Sequence, residues 1–200
     1  SSGMNDLAMG DDGCLYFATI KPAHIVKYDP VTRQYTDYGC MDANANRVST
    51  VACRNGIIYA CVEGEGIHNL IKVNAETGEI LETKDISEQV GAVEYIVKME
   101  FLDDKTLVVG ANRLEKMIAV DISGEMMVLK DIGVDTGINS TISEVKDGKI
   151  YFVCYNRGLC EYDLATGKAK VVEGLEAANV GFRFTNNTFV SVDHPDLPGE

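Results

Sequence analysis

The chain has 200 residues, of which 46% are hydrophobic and 24% are charged, and its formal net charge is -13. Enough apolar residues are present to build a sizeable core, so the composition is that of a soluble globular protein. The negative charge disfavours nucleic acid and anionic lipid, because both would be repelled before contact. The apolar runs are much shorter than the roughly 20 residues of a membrane-spanning helix. We therefore expect neither a nucleic acid nor a membrane partner.

The N-terminal part of the chain reads as short strands separated by turns. An opening strand ends at Asp12-Gly13, and two further strands are predicted over 14–20 and 24–29, followed by a fourth over 33–38. Asp12-Gly13 predicts a hairpin with a type I′ turn, in which both central residues need a positive φ. Pro30-Val-Thr-Arg33 predicts the next chain reversal.

The same series of strands and turns recurs three more times and begins a fifth time. The third strand of each complete unit ends in an acidic or amide residue, and these residues follow one another at intervals of 45, 47 and 42: Asp29, Asn74, Asp121 and Asp163. Units of about 40 to 50 residues with four short strands each are the signature of a β-propeller. The one helical signal is 85–95, where Asp85 is a candidate N-cap and a single helical turn is the alternative to a loop.

We therefore predict an all-β fold, a β-propeller of four-stranded antiparallel blades, with about four and a half blades in a single domain or segment. The predicted blades cover approximately 4–39, 48–84, 95–131, 139–174 and, incompletely, 179–200. An incomplete last blade would leave an exposed sheet edge. We thus expect the full ring to be larger, with additional blades supplied by the same chain or by a partner chain.

Two segments, Val73-Asn-Ala-Glu-Thr-Gly-Glu79 and Tyr162-Asp-Leu-Ala-Thr-Gly-Lys168, resemble the repeat phrase of the quinoprotein-like (PQQ-like) propeller superfamily. The resemblance implies that, as in the quinoprotein enzymes, each phrase is followed by a tryptophan, and this tryptophan docks against the next blade. This chain contains no tryptophan. The resemblance therefore implies the fold, whereas pyrroloquinoline quinone is not expected to bind; no cofactor is expected, and a divalent metal remains open.

The six cysteines are Cys14, Cys40, Cys53, Cys61, Cys154 and Cys160. They form no Cys-x-x-Cys pair and no zinc-type spacing with histidine, and five fall in predicted strands, where a cysteine behaves as a small buried hydrophobe. Unpaired cysteines favour the cytoplasm. The start of the chain lacks the pattern of a signal peptide, and a secreted or periplasmic location stays open if such a peptide was removed.

Candidate functional residues lie in the connections between the second and third strands of a blade and between successive blades. These loops share one face of the propeller and vary between units, while the opposite face carries short repeated turns, so we expect binding on the loop face. The predicted ligand-binding residues are Lys21, His24, His68, Asn69, Arg113, Tyr155, Asn156 and Arg157. Arginines there are suited to holding a carboxylate, and their alternative is pairing with nearby glutamates.

All three histidines are predicted to lie in connections of this one class, on the loop face. His24, His68 and His194 are candidate metal ligands, and His24 and His68 are candidate general bases, although isolated surface histidines are the alternative. Residues that repeat from unit to unit are predicted to be structural: Tyr16, Tyr59 and Tyr151 as packing residues, and the four residues that end the third strands as turn formers.

These features predict a ligand-binding propeller that recognises a carbohydrate or a peptide through its loop face. The alternative is a carbohydrate-active enzyme, a metal-dependent polysaccharide or oligouronide lyase, or a hydrolase. The lyase would resemble the oligogalacturonate lyases and use loop histidines. A second alternative is an interaction scaffold without a small ligand. No catalytic motif in the sequence decides whether the protein is an enzyme.

Overall fold

The computed structural model describes residues 3–91, 96–111, 117–132, 138–154, 158–176, 182–185 and 188–191. The strands of the first two units are β1 (Gly3–Met9), β2 (Leu15–Ile20), β3 (His24–Asp29), β4 (Gln34–Cys40), β5 (Arg47–Arg54), β6 (Ile57–Gly64), β7 (Ile67–Asn74) and β8 (Ile80–Asp85). The remaining strands are β9 (Ile96–Phe101), β10 (Thr106–Ala111), β11 (Met117–Asp121), β12 (Val128–Ile132), β13 (Ile138–Ile142), β14 (Lys149–Cys154), β15 (Gly158–Asp163), β16 (Lys168–Glu176), β17 (Phe182–Thr185) and β18 (Thr188–Ser191). No helix among the described residues is long and apolar enough to cross a membrane.

Each unit forms an antiparallel sheet in which consecutive strands are neighbours. The sheet orders are β12-β11-β10-β9 and β13-β14-β15-β16, and a final pair is formed by β17 and β18. The first two units join into one eight-stranded sheet, because Ile20 at the end of β2 pairs with Arg47 of β5 while β1 pairs with β2. The inner strands β1, β5, β9 and β13 begin successive units. This arrangement confirms the predicted all-β, partial-propeller fold.

The residues that end the third strands shape the turns that follow, as predicted. Asp29 Oδ1 accepts hydrogen bonds from the backbone N–H groups of Val31 and Thr32 at 2.8 and 3.3 Å. Asn74, Asp121 and Asp163 make the same kind of contact. Each accepts the backbone N–H of the residue two positions further along the chain, and Asn74 and Asp163 also accept that of the residue three positions further along. These side chains are thus used by the scaffold.

The first-to-second strand turns of the first two blades differ from each other. Asn55 and Gly56 both have positive φ, of 53° and 71°, as a type I′ turn requires. At Asp12-Gly13 only Gly13 has a positive φ, and its N–H donates to Gly10 O. The type I′ prediction was therefore wrong at Asp12, whose carboxylate instead accepts the Cys14 N–H and the Tyr16 hydroxyl.

Two other boundaries differ from the sequence-based expectation. The helical alternative was right for part of 85–95, since a helix α1 spans Ser87–Val90. The N-cap is Ile86, and Asp85, the residue before it, accepts a hydrogen bond from the Ser87 N–H. The outer strand of the third unit, predicted from the sequence to begin at Glu125 after the Ser123-Gly124 turn, begins at Val128. Before it, the Met127 N–H is bound by Glu82 of the preceding unit, which draws this segment out of the sheet.

The hydrophobic core lies between blades. Three buried clusters join successive pairs, with Tyr16 and Ile58 in the first, Tyr59 and Leu107 in the second, and Val108 and Phe152 in the third. Tyr16 and Tyr59 are buried, as predicted for packing residues. Tyr59 meets Phe101 of the next blade edge-on, with ring centroids 5.9 Å apart. Tyr151 is only partly buried.

Blades are also joined by side chains of their outer strands. The Tyr38 hydroxyl donates to Ala75 O at 2.6 Å, and the Tyr38 ring lies where a Cβ on Gly78 would be. In the next blade the buried Glu82 carboxylate accepts the Met127 N–H at 2.9 Å. Tyrosine and glutamate thus make inter-blade contacts in a chain without tryptophan.

Candidate functional site

On the loop face, His68 belongs to a cluster around the buried carboxylate of Glu63. The Glu63 side chain is 3% exposed and accepts hydrogen bonds from Arg47 Nε at 3.0 Å and the Ile96 N–H at 2.8 Å. His68 Nδ1 lies 3.2 Å from the same carboxylate. Because three groups converge on Glu63, its charge is compensated although it is buried. The cluster joins the second blade to the inner strand of the third.

His24 is held by a different carboxylate. Its Nδ1 lies 3.0 Å from Asp37, which also accepts the Gly39 N–H at 2.8 Å. Burial raises the pKa of Asp37, but the hydrogen bonds from Gly39 and His24 outweigh that effect and keep the pKa below its usual range. The two histidines therefore belong to separate pairs rather than to one site.

The other predicted ligand-binding residues of the first two blades lie near the His68 cluster. The Asn69 amide donates to Asp42 Oδ2 at 3.3 Å. The Lys21 N–H donates to Asn46 O at 2.7 Å, and the Asn46 N–H donates to Glu63 O at 2.9 Å. The Lys21 side chain is exposed. Lys21, His68 and Asn69 thus share one end of the first two blades, with Lys21 linked through its backbone.

The remaining predicted site residues lie outside the described part of the chain. These are Arg113, Tyr155, Asn156, Arg157 and the third candidate metal ligand, His194. Within the described residues, no group of three or more histidine, cysteine or carboxylate side chains is arranged to hold a metal ion. The predictions for these five residues therefore remain predictions.

A second polar cluster lies on the turn face between the first two blades. Asp12 Oδ2 lies 2.8 Å from both Lys27 Nζ and the Tyr16 hydroxyl. Burial raises the pKa of Asp12, but the hydrogen bonds from Lys27, Cys14 and Tyr16 outweigh it and hold the pKa far below its usual range. Lys27 also reaches Ala75 O of the next blade, at 3.4 Å. The sequence indicated only a turn role for Asp12, because its partner Lys27 lies on β3, beyond the intervening strand β2.

A third polar cluster joins the inner strands. The Asp6 carboxylate of β1 binds Lys98 Nζ of β9 at 2.8 Å and the Thr50 hydroxyl of β5 at 2.7 Å. Thr50 is a fully buried polar residue of β5. A polar residue at such a position is the one sequence signal that could have indicated this cluster, since buried polar groups need partners.

Comparisons with solved structures agree with this geometry. BamB from Moraxella catarrhalis matches with a TM-score of 0.58 and 15% identity, over 83% of this chain and 48% of that chain. The WD40 β-propeller domain of Doa1 matches with a TM-score of 0.52 and 12% identity, over 83% and 53%. A chain of the Mitotic Checkpoint Complex matches with a TM-score of 0.61 and 10% identity, over 89% and 54%.

This chain therefore spans about half the length of these structures. No protein-family model matches it, and no curated protein matches it in sequence. At identities this low the similarity establishes the fold alone, and the fold of this chain is that of a β-propeller.

Proposed function

We propose that this protein is a protein-binding propeller scaffold. The observation that carries the proposal is a set of exposed apolar side chains at the outer strands of three successive blades, which we name the outer-edge residues. They are Val31, Tyr35, Ile80, Leu81, Met126 and Val128. Val31 is 89% exposed and Tyr35 is 76% exposed. Their recurrence in three blades distinguishes them from the scattered surface hydrophobes of any soluble protein.

The strands at this edge are suited to contact with another polypeptide. β4, β8 and β12 each end a blade and have one strand neighbour within the described residues. An outer strand presents backbone N–H and C=O groups that an extended segment of a partner can pair with. Apolar side chains beside such an edge add buried area to the contact. The similar structures include a component of the Mitotic Checkpoint Complex, which supports protein binding as the general role.

The test is affinity capture with a surface variant. The tagged protein is incubated with lysate of the cells from which the gene comes, and bound proteins are identified by mass spectrometry. The variant Val31→Lys/Leu81→Lys/Val128→Lys is expected to lose a partner that the unchanged protein retains. The control Gln34→Lys/Thr83→Lys adds charge to exposed positions of β4 and β8 and is expected to keep it. A partner retained equally by both variants, or no specific partner at all, would refute the proposal.

A second candidate is binding of an acidic sugar on the loop face, with lyase activity as its enzymatic form. The two histidine–carboxylate pairs favour it, because a carboxylate on Nδ1 orients the ring and leaves Nε2 for a ligand or a proton. The exposed Lys21 lies at the same end of the blades. An oligogalacturonide, with and without manganese or calcium, should then raise the melting temperature, and His68→Gln should abolish the shift. An unchanged melting temperature would exclude this candidate.

The finer assignment to quinoprotein-like propellers also remains a proposal. It is supported by the Asn74 and Asp163 turns in the two segments that carry the resemblance. Tyr38 supports it too, since its aromatic ring contacts the turn of the next blade. A relative that aligns with these segments and carries tryptophan after them would establish the assignment.

A further inference from the structure

One face of the first blade carries an apolar surface that lacks a blade against it among the described residues. Strand pairing defines its side chains, because directly paired residues of an antiparallel sheet point to the same side. One row runs from Met9 through Leu15 to Tyr28, and the next runs from Leu7 through Phe17 to Val26. We name these six residues the first-blade face.

The same positions in the second, third and fourth blades are buried. In the second blade Val51, Ala60 and Ile71 take the places of Leu7, Phe17 and Val26, and their exposures are 1%, 0% and 1%. The corresponding residues of the third blade are Met99, Val109 and Ile118, at 1%, 0% and 1%. In the fourth blade Phe152 and Cys160 are exposed by 0% and 4%.

The first blade departs from this pattern although its residues are as apolar. Leu7 is 48% exposed and Met9 is 69% exposed, and Leu15, Phe17, Val26 and Tyr28 are only partly buried. In the later blades these positions are covered by the face of the preceding blade, as the three core clusters show. The chemistry of the first-blade face is therefore that of a blade-to-blade contact, and the matching surface is another blade of the same repeat.

We propose that a second copy of this chain covers the first-blade face, with the last blade of one copy packed against the first blade of the other. The contact is head-to-tail, so two copies can close a ring through two equivalent contacts. The chain spans 48% of BamB and 53% of the Doa1 propeller domain, so two sets of these blades would match about one such propeller. This surface is separate from the six outer-edge residues, and the inference does not depend on their role.

The test measures the mass of the protein in solution by light scattering and sedimentation over a range of concentrations. The unchanged chain is expected to sediment as two copies. Leu7→Lys and Met9→Lys place a charge in the contact and should raise the dissociation constant at least about tenfold. Thr83→Lys is the control, because Thr83 is exposed on β8 and belongs neither to the first-blade face nor to the outer-edge residues. It should leave the mass unchanged.

Circular dichroism and thermal unfolding of each variant establish that it remains folded. Cross-linking of a mixture of ordinary and nitrogen-15-labelled protein should give links from β1 that join one labelled and one unlabelled chain. A monomer at all concentrations would overturn the proposal, and so would a mass that grows without limit. Equal dissociation by Thr83→Lys would also overturn it. So would links from β1 confined to single chains, as expected if blades of one longer polypeptide close the ring.

Discussion

Lys98 and Asp6 form an ion pair that spans three blades. Lys98 Nζ lies 2.8 and 3.0 Å from the two Asp6 carboxylate oxygens, and the residues are 92 positions apart in the chain. Between them, Thr50 donates its hydroxyl to Asp6 and accepts the Met99 N–H at 3.1 Å. The Val51 N–H donates to Asp6 at 3.0 Å. One carboxylate thus holds the inner strands β1, β5 and β9 together.

Removal of the Asp6 carboxylate should therefore destabilise the whole described fold. Asp6→Ala leaves Lys98, Thr50 and the Val51 N–H without their acceptor, and we expect a loss of about 2 to 3 kcal/mol in the free energy of unfolding. Asp6→Asn keeps an acceptor oxygen and should cost less. Urea unfolding followed by circular dichroism measures both. Equal unfolding midpoints for Asp6→Ala and the unchanged protein would contradict the linking role.

The repeat made much of this fold predictable, whereas the contacts between repeats could not be predicted from the sequence. The turn role of Asn74 and Asp163 is local, because each side chain binds backbone groups two and three residues ahead, and a local pattern is readable in one sequence. The partner of Asp6 depends on how three blades are rotated about one axis, which no local pattern encodes. His68 was predicted to lie in a loop, whereas it lies in β7, and its pairing with Glu63 follows from the register of β6 with β7.

Substitutions at Tyr38 and Gly78 should measure how much the contact between the first two blades contributes to the free energy of unfolding. Tyr38→Phe removes only the hydroxyl that donates to Ala75 O and should cost about 1 kcal/mol of unfolding free energy. Gly78→Ala should cost more, because its Cβ would overlap the Tyr38 ring and Gly78 has a φ of +77°. Tyr35→Phe is the matched control, since Tyr35 is 76% exposed. If Tyr35→Phe were as destabilising as Tyr38→Phe, the hydrogen bond from Tyr38 to Ala75 O would make no specific contribution to the free energy of unfolding.

The Asp12 cluster should make stability depend on pH in the acid range. The pKa of Asp12 is lower in the folded protein than its ordinary value, so the folded state favours the ionised form. The stabilisation is fully present above the unfolded pKa of about 4 and decreases as the pH falls below it. Asp12→Asn cannot ionise and should show a smaller loss between neutral and acid pH. Melting temperatures of both proteins across this range test the prediction, and parallel curves would contradict it.

The cysteines should differ sharply in their reactivity towards iodoacetamide. Burial raises the pKa of the Cys53 thiol to about 12, and the carboxylates of Asp12 and Asp11 add to the increase. Cys40 is exposed. Because the thiolate is the reactive form, native protein at mildly alkaline pH should be alkylated at Cys40 and protected at Cys53. Peptide mass spectrometry locates the label, and unfolded protein, which should react at both positions, is the control. Native labelling of Cys53 at the rate of Cys40 would contradict the burial of this thiol.

Glu63 and His68 contribute unequally to the loop face, and two substitutions should separate their roles. Glu63→Ala removes the acceptor for Arg47, His68 and the Ile96 N–H, which should cost about 3 to 5 kcal/mol of unfolding free energy. His68→Ala leaves the Glu63 carboxylate with Arg47 Nε at 3.0 Å and the Ile96 N–H at 2.8 Å, so about 1 kcal/mol is expected. Urea unfolding midpoints measure both. If His68→Ala were as costly as Glu63→Ala, the histidine would be essential to the cluster and unsuited to exchange its contact for a ligand. A small cost would instead mean that the imidazole can give up its contact with Glu63 for a ligand while the protein stays folded, as a ligand-binding residue must.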